Sequence, residues 1–395
     1  MKKMPRSLSR KNKKKYQARS FTQLWHPLLT ILETTAPLKS RGNRPLQMDF
    51  DHQLKALVFF HLEEHTSGRH LLQTLQEDDF ASQNIAPPKG IRSSSFFEAM
   101  ADRGLEQFTY VFQELQQKAC GLLPKQFPDL GELVAIDGSL IDAVLSMTWA
   151  DYRHNSKKAK VHVGFDLNRS IPQKLFLSEG KGGERPFIDQ VLAVGQTGVM
   201  DRGYQCHKTF DQLQRDHKHF VCRIKTNTVR TALESYTVSA DSIVFYDAKV
   251  KLGKVSSIQT ELPLRLVGYR VETKEYWVAT DRFDLSAEQI AQIYKLRWAI
   301  EKFFAWWKRH LRVYHLISRS PQGLMVQILS GLITYLLLAI YCCEQHGEMV
   351  SIKRVRELRC NILNECRATQ DQADDDSSDG SKPDLIPSEG LQATS

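Results

Sequence analysis

The chain has 395 residues, 42% of them hydrophobic and 25% charged, which argues against a disordered or fibrous protein and for a globular one with core enough for two or three structural units. Lys and Arg number 54 against 45 Asp and Glu, and from Gln370 onward seven acids stand beside one base, so the first 369 residues hold 53 bases and 38 acids. That surplus favours a polyanionic partner, nucleic acid above all; seven cysteines, an odd count without a CxxC pair, point to reduced thiols in a cytoplasmic protein.

Residues 1–19 carry nine bases and no acid, with no apolar stretch behind them of the kind a secretion signal needs, and are expected to form a flexible basic arm. Residues 20–128 show helical apolar periodicity in HQLKALVFFHLEEH, GRHLLQTLQ and SSFFEAMADRGLEQFTYVFQELQQ, interrupted by the Ala86-Pro87-Pro88-Lys89-Gly90 turn. Ser95 with Glu98 is expected to cap the last of these helices. The segment is expected to be a separate small helical domain, either DNA-reading or simply packing. From Leu133 the pattern turns to short β-rich runs, ELVAID, KVHVGFDL, PQKLFLSEG, GVMD and HFVCRIK, with helical PFIDQVLAV and KTFDQLQRD between the later ones. Residues 129–345 therefore predict a mixed α/β sheet covered by helices, carrying a β-rich antiparallel insertion at about 226–282. Ser286 with Gln289 predicts a capping box opening the next helix. Leu324 to Cys343 is as long as a membrane span, but Gln327, Ser330, Gly331 and Thr334 interrupt it, and a buried core helix is expected, with no membrane partner. A helical extension over 346–368 and an acidic, disordered tail over 369–395 close the chain.

The helix after Ser286 holds the most informative pattern. In YKLRWAIEKFFAWWK, Tyr294, Arg297, Glu301 and Lys308 fall within an arc of about 60° on a helical wheel, beside an apolar face made by Ile293, Leu296, Ile300, Phe303, Phe304 and Trp307. One continuous helix is expected to bury the apolar stripe and offer the polar one. Upstream, Asp137 precedes Gly138 after the run LVAI, and Asp201 precedes Arg202-Gly203-Tyr204 after GVM, which predicts two aspartates at strand ends. Each also suits a plain turn. With Glu301 they form a set able to hold a pair of divalent cations, and oxygen ligands favour Mg²⁺ or Mn²⁺ and phosphoryl transfer. Lys160 and His162, in KVHV, alternate onto one strand face, as site residues or as plain sheet surface.

These pieces, Ile136-Asp137-Gly138-Ser139, Asp201-Arg202-Gly203-Tyr204, Thr280-Asp281-Arg282 and the Tyr-x2-Arg-x3-Glu-x6-Lys spacing from Tyr294 to Lys308, make the chain resemble the IS4 family of bacterial insertion-sequence transposases over about Leu133 to Tyr341. The resemblance implies an RNase H-like fold and a DDE triad of Asp137, Asp201 and Glu301 ligating two Mg²⁺ ions, with Mn²⁺ able to substitute. It implies that Tyr294, Arg297 and Lys308 hold transposon-end phosphates and that Arg223, in FVCRIK, contacts DNA near the cut. It further implies cleavage of terminal inverted repeats in double-stranded DNA, a hairpin route with a flipped base for which Trp277 and Tyr276 are the candidate stacking aromatics, strand transfer into target DNA, a homodimer in the synaptic complex, and a cytoplasmic, nucleoid-associated location. Two alternatives stay open: a transposase-derived DNA-binding protein that no longer cuts, and an RNase H-like nuclease without strand transfer.

Overall fold

The computed structural model describes residues 19–378 except 41–44, 144–146, 154–155, 255–257 and 312–314. The basic arm up to residue 18 and the acidic tail from residue 379 lie outside the described residues. Among the described residues seven α-helices come first: α1 (Arg19–Trp25), α2 (Leu29–Thr34), α3 (Phe50–Leu62), α4 (Gly68–Glu77), α5 (Asp79–Asn84), α6 (Ser93–Asp102) and α7 (Leu105–Leu122). Asp49, Ser67 and Asp78 cap α3, α4 and α5 by accepting backbone N–H bonds, which satisfies donors the first turn leaves open. The box expected at Ser95 does not form. α6 begins earlier, with Arg92 at the N-cap, and Glu98 pairs instead with Arg103 at 2.7 Å. Gly104, at φ 87°, splits the long periodic run into α6 and α7; the left-handed backbone there suits glycine.

Among the described residues ten strands form one sheet: β1 (Leu133–Ala143), β2 (Asp151–Arg153), β3 (Ser156–Asp166), β4 (Ile171–Glu179), β5 (Thr197–Met200), β6 (His219–Arg223), β7 (Arg230–Ser235), β8 (Val244–Leu252), β9 (Leu264–Val271) and β10 (Lys274–Thr280). The helices α8 (Ile188–Val191) and α9 (His207–Arg215) lie before and after β5 in the chain. β4, β3 and β1 pair antiparallel in succession; β5 and then β6 add in parallel. The insertion extends this sheet, since β10 pairs antiparallel with β6 and is followed outward by β9, β8 and β7. Inside the extension Arg265 grips Asp247 with two hydrogen bonds of 2.9 and 2.8 Å. Asp137 lies inside β1, paired with Val163, and not at a strand end as expected. The strand runs on past Gly138 because Ser139 to Ala143 still find partners on β3.

The polypeptide then forms α10 (Ala287–Leu296), α11 (Trp298–His310), α12 (Pro321–His346) and α13 (Ile352–Ser378). Ser286 and Gln289 make the reciprocal capping box that opens α10. The single helix expected through the polar stripe is in fact two, for at Arg297 the backbone tightens into 3₁₀ hydrogen bonds, Arg297 N–H to the Tyr294 carbonyl and Ile300 N–H to the Arg297 carbonyl. α13 reaches Ser378, so the helix continues ten residues into the segment expected to be disordered.

Among the described residues α12 is the one helix long and apolar enough to cross a membrane, and it is buried almost throughout. Its polar residues find partners inside: Gln327 accepts from Ile317 N–H and donates to the His315 carbonyl, while Ser330 and Thr334 donate to carbonyls three and four residues back. It lies against α3, α6, α7 and β4. The helical N-terminal segment therefore has no core separate from the sheet: Leu54, Phe60, Phe108, Leu332 and the β1 residues Leu133, Ala135 and Ile141 belong to one buried cluster. Val134 and Ile136, facing the other way, join a second cluster with Ile188, Phe210 and Leu213 of α8 and α9. The sheet is thus covered on both faces, and Asp137 projects toward the side where α10 and α11 lie.

Candidate active site

The parallel register of β1 and β5 brings the two aspartates together. Leu133 pairs with Thr197, and Asp137 and Asp201 each lie four residues further along. Neighbouring strands run about 4.8 Å apart, so the end of β5 delivers Asp201 beside Asp137. Asp201 also serves as the cap of the 3₁₀ turn Arg202–Tyr204, its Oδ1 accepting from Gly203 N–H at 2.8 Å. The turn reading and the carboxylate reading of this residue therefore coexist. Asp137 Oδ1 accepts from Gly138 N–H at 2.8 Å. Burial pushes the Asp137 carboxyl up to about 6, with Asp201 and Glu184 adding to the rise and the Gly138 N–H and Arg297 opposing it.

Across from them stands the stripe. Arg297 forms an ion pair with Glu301 and reaches Asp137 Oδ2 at 3.9 Å, so one guanidinium spans two of the three expected triad members. Burial disfavours its charge, but Tyr294, Glu301 and Asp137 together hold it above the ordinary guanidinium value. Tyr294 is buried, its ring 5.7 Å from the Arg297 guanidinium. Lys308 is half-buried and donates to the Leu140 carbonyl at 2.5 Å; burial lowers its pKa. The polar stripe consequently faces β1 rather than open solvent, a correction to the expectation. The face of α11 left open carries Trp298, Lys302, Ala305 and Arg309, with Trp298 56% exposed.

Arg223, at the end of β6, lies 4.7 Å over the Tyr276 ring, and Tyr276 in turn stacks on Tyr269 and neighbours Tyr294. Trp277 alternates to the other sheet face, where it packs on Phe245 and Tyr246 beneath Arg230 at 3.7 Å. Tyr276 therefore lies on the side of Tyr294 and its neighbour Arg297, and Trp277 on the other sheet face. Lys160 and His162 project from the face opposite Asp137: His162 is buried, stacks on Phe187 and contacts Ser178 Oγ, and Lys160 pairs with Glu184 at 3.2 Å. Thr280, Asp281 and Arg282 are structural clamps. Thr280 donates to the Phe220 carbonyl, Asp281 accepts from Phe220 N–H, and Arg282 bridges Asp284 and Thr197, tying β5, β6 and β10 to one another.

The donor set fits a hard divalent cation: carboxylate oxygens side by side, in a place that already accepts the positive charge of Arg297. Among the described residues no three acidic or histidine side chains converge as a ready-made cage, because Glu301 is turned onto Arg297. Two neighbours escaped the sequence reading. Glu184 sits beside Gly138, and Tyr204, fully buried, places its hydroxyl within electrostatic reach of Glu184, Asp137 and Asp201. Only the Tyr in Asp-Arg-Gly-Tyr carried a signal; Glu184, in a stretch without periodicity, carried none.

Residues 128–337, more than half of the chain, match the family described as Transposase DDE domain. The chain is 29% identical over 194 residues to a probable transposase for insertion sequence element IS5377 of Geobacillus stearothermophilus, covering 49% of this chain and 52% of that protein. It is 26% identical over 235 residues to a putative transposase for insertion sequence element IS4SA of Synechocystis sp., covering 58% and 65%, and 26% identical over 250 residues to the putative transposase y4zB of Sinorhizobium fredii, covering 61% and 70%. The match thus spans only about half to two thirds of the first two relatives. A piggyBac transposase synaptic complex with hairpin DNA aligns with a TM-score of 0.44 and 11% identity over 95% of this chain and 87% of that one, too slight a likeness to argue from. The family match takes in Asp137, Asp201 and Glu301 alike, and the chain belongs to the DDE-domain transposases.

Proposed function

We propose that this chain is the transposase of an IS4-type insertion sequence, binding the element's terminal inverted repeats, cutting them and joining the freed 3′ ends to target DNA. The observation that carries the reading is the register that sets Asp201 beside Asp137, with Arg297 linking Asp137 to Glu301. The strand order β4-β3-β1-β5-β6, three antiparallel and then two parallel, supports an RNase H-like fold for the catalytic part. Asp137, Asp201 and Glu301 would hold two Mg²⁺ ions, which would activate a water or 3′-hydroxyl and stabilise the leaving oxygen. Arg297, already charged and pre-set, is suited to take a DNA phosphate bidentately; Lys308 and Arg223 add charge on either side, and Tyr294 orients Arg297 from beneath. If cleavage follows a hairpin route, Tyr276, beside Arg223, is better placed to stack a flipped base than Trp277. The active form is a homodimer bridging two ends, working in the cytoplasm on the nucleoid.

The test is cleavage of a cognate terminal repeat by purified protein in Mg²⁺. Asp137→Asn is expected to abolish cleavage while leaving repeat binding intact. Undiminished cutting by that variant would overturn the reading, and strand transfer scored separately from nicking distinguishes a transposase from a nuclease.

A further inference from the structure

On the face of β1 opposite Asp137, the residue that should fill the space is Gly138. A Cβ built there would lie 2.9 Å from Glu184 Oε1 and 3.3 Å from the Lys160 side chain. The Glu184 carboxylate thus occupies the position a side chain at 138 would take, and from there it is close enough to Asp137 to help raise its pKa. Two groups keep it there. Lys160 pairs with it at 3.2 Å while itself donating to the Gly182 carbonyl at 3.1 Å. Tyr204, 1% exposed, lies against it with a hydroxyl that forms no well-aligned hydrogen bond. This buried phenol O–H is only poorly aligned with Glu184 and lies within electrostatic reach of Asp137 and Asp201, so a ligand oxygen entering there would satisfy it better.

We propose that Glu184 is a fourth carboxylate of the metal centre, a positioning residue that enters from the opposite sheet face through the gap left by Gly138 and strengthens the hold of Asp137 and Asp201 on their cation. This rests on the metal-binding reading above. Glu184 supplies acceptor oxygens for the water carried by a hydrated Mg²⁺, a cation that dehydrates reluctantly. Lys160 limits the local excess of negative charge, so the fourth acid is tolerated when no cation is bound. Outer partners of this kind change metal affinity by about 10- to 100-fold.

The experiment is Mn²⁺ binding to the full chain without DNA, followed by titration calorimetry, with thermal melts to show that each variant is folded. Glu184→Gln is expected to weaken Mn²⁺ binding about tenfold or more, Glu184→Asp less, and Asp142→Asn, which removes an exposed acid elsewhere on β1, hardly at all. Gly138→Ala is the second route: its methyl meets the movable end of Glu184 rather than backbone, so the fold survives while the carboxylate is displaced, and affinity should fall as in Glu184→Gln. Wild-type affinity in a folded Glu184→Gln or Gly138→Ala, with Asp137→Asn abolishing binding, would reduce Glu184 to a structural ion pair and overturn the proposal. Undiminished binding in Asp137→Asn would overturn the metal centre itself. Equal losses in Asp142→Asn and Glu184→Gln would also overturn the proposal, since net charge alone would then explain them.

Discussion

Arg297 holds one acid in an ion pair and stands 3.9 Å from another, and its substitution reads out both. Arg297→Gln leaves Glu301 and Asp137 facing one another without a fixed cation. The variant should lose about 1 kcal/mol at low ionic strength, the scale for a partly exposed pair, and millimolar Mg²⁺ should raise its melting temperature more than that of the parent protein. An equal Mg²⁺ response in both would show that Arg297 does not occupy the cation's place. His61 offers a residue-scale test remote from the site. Its Nδ1 lies 2.5 Å from the Leu311 carbonyl and its Nε2 2.9 Å from Ser330 Oγ, and full burial lowers its pKa to about 4. Because the folded value lies below the unfolded one, the unfolded chain takes up the proton first as pH falls. The penalty is absent above about pH 6.5 and grows down to about pH 4. Between pH 7 and 5 it amounts to about 2 kcal/mol. His61→Gln should flatten the dependence of urea-unfolding free energy on pH by that amount; His65 and His162, likewise lowered to about 4 by burial, keep a slope of the same sign, and Asp137, raised to about 6, opposes it.

At the scale of elements, α10 and α11 form a jointed pair whose first turn is fixed by Ser286 and Gln289. Ser286→Ala should cost about 1 kcal/mol, measured by equilibrium unfolding, and a cost near zero would mean that packing of Ile290 and Ile293 alone holds the helix start. This cap was readable from Ser-x-x-Gln. The joint at Arg297 was not, because neither Gly nor Pro marks it; it coincides with the guanidinium's contacts to Glu301 and Asp137. The central strands announced themselves through β-branched apolar runs, whereas β7, with every residue exposed, has no burial pattern to read. Gly138 misled the reading of β1: Asp-Gly favours a turn, but here the glycine makes room for Glu184 across the sheet. Which acid neighbours Asp137 depends on a strand register and a loop path, and neither is written locally in the chain.

At the scale of the whole molecule, α12 decides what can fold alone. Its length and apolarity suited either a core or a bilayer, and the structure buries it against α3, α6, α7 and β4 at once. A chain segment of that kind needs all its neighbours: stripped of the N-terminal helices it would present a wide apolar surface to water, at about 25 cal/mol for each Å² uncovered, and soluble proteins rarely expose large contiguous patches of this sort. His61 adds a polar tie, joining α3 to α12 and to the end of α11 by hydrogen bonds within the core. A fragment starting at residue 129 and retaining everything C-terminal to it should therefore aggregate or bind a hydrophobic dye without a cooperative melt, while the full chain melts in one transition. A soluble, cooperatively melting fragment would show that the sheet and α12 are self-sufficient. The same coupling bears on activity: if the N-terminal helices grip a terminal repeat, their core is continuous with β1, and repeat binding and the geometry at Asp137 stand or fall as one folded body.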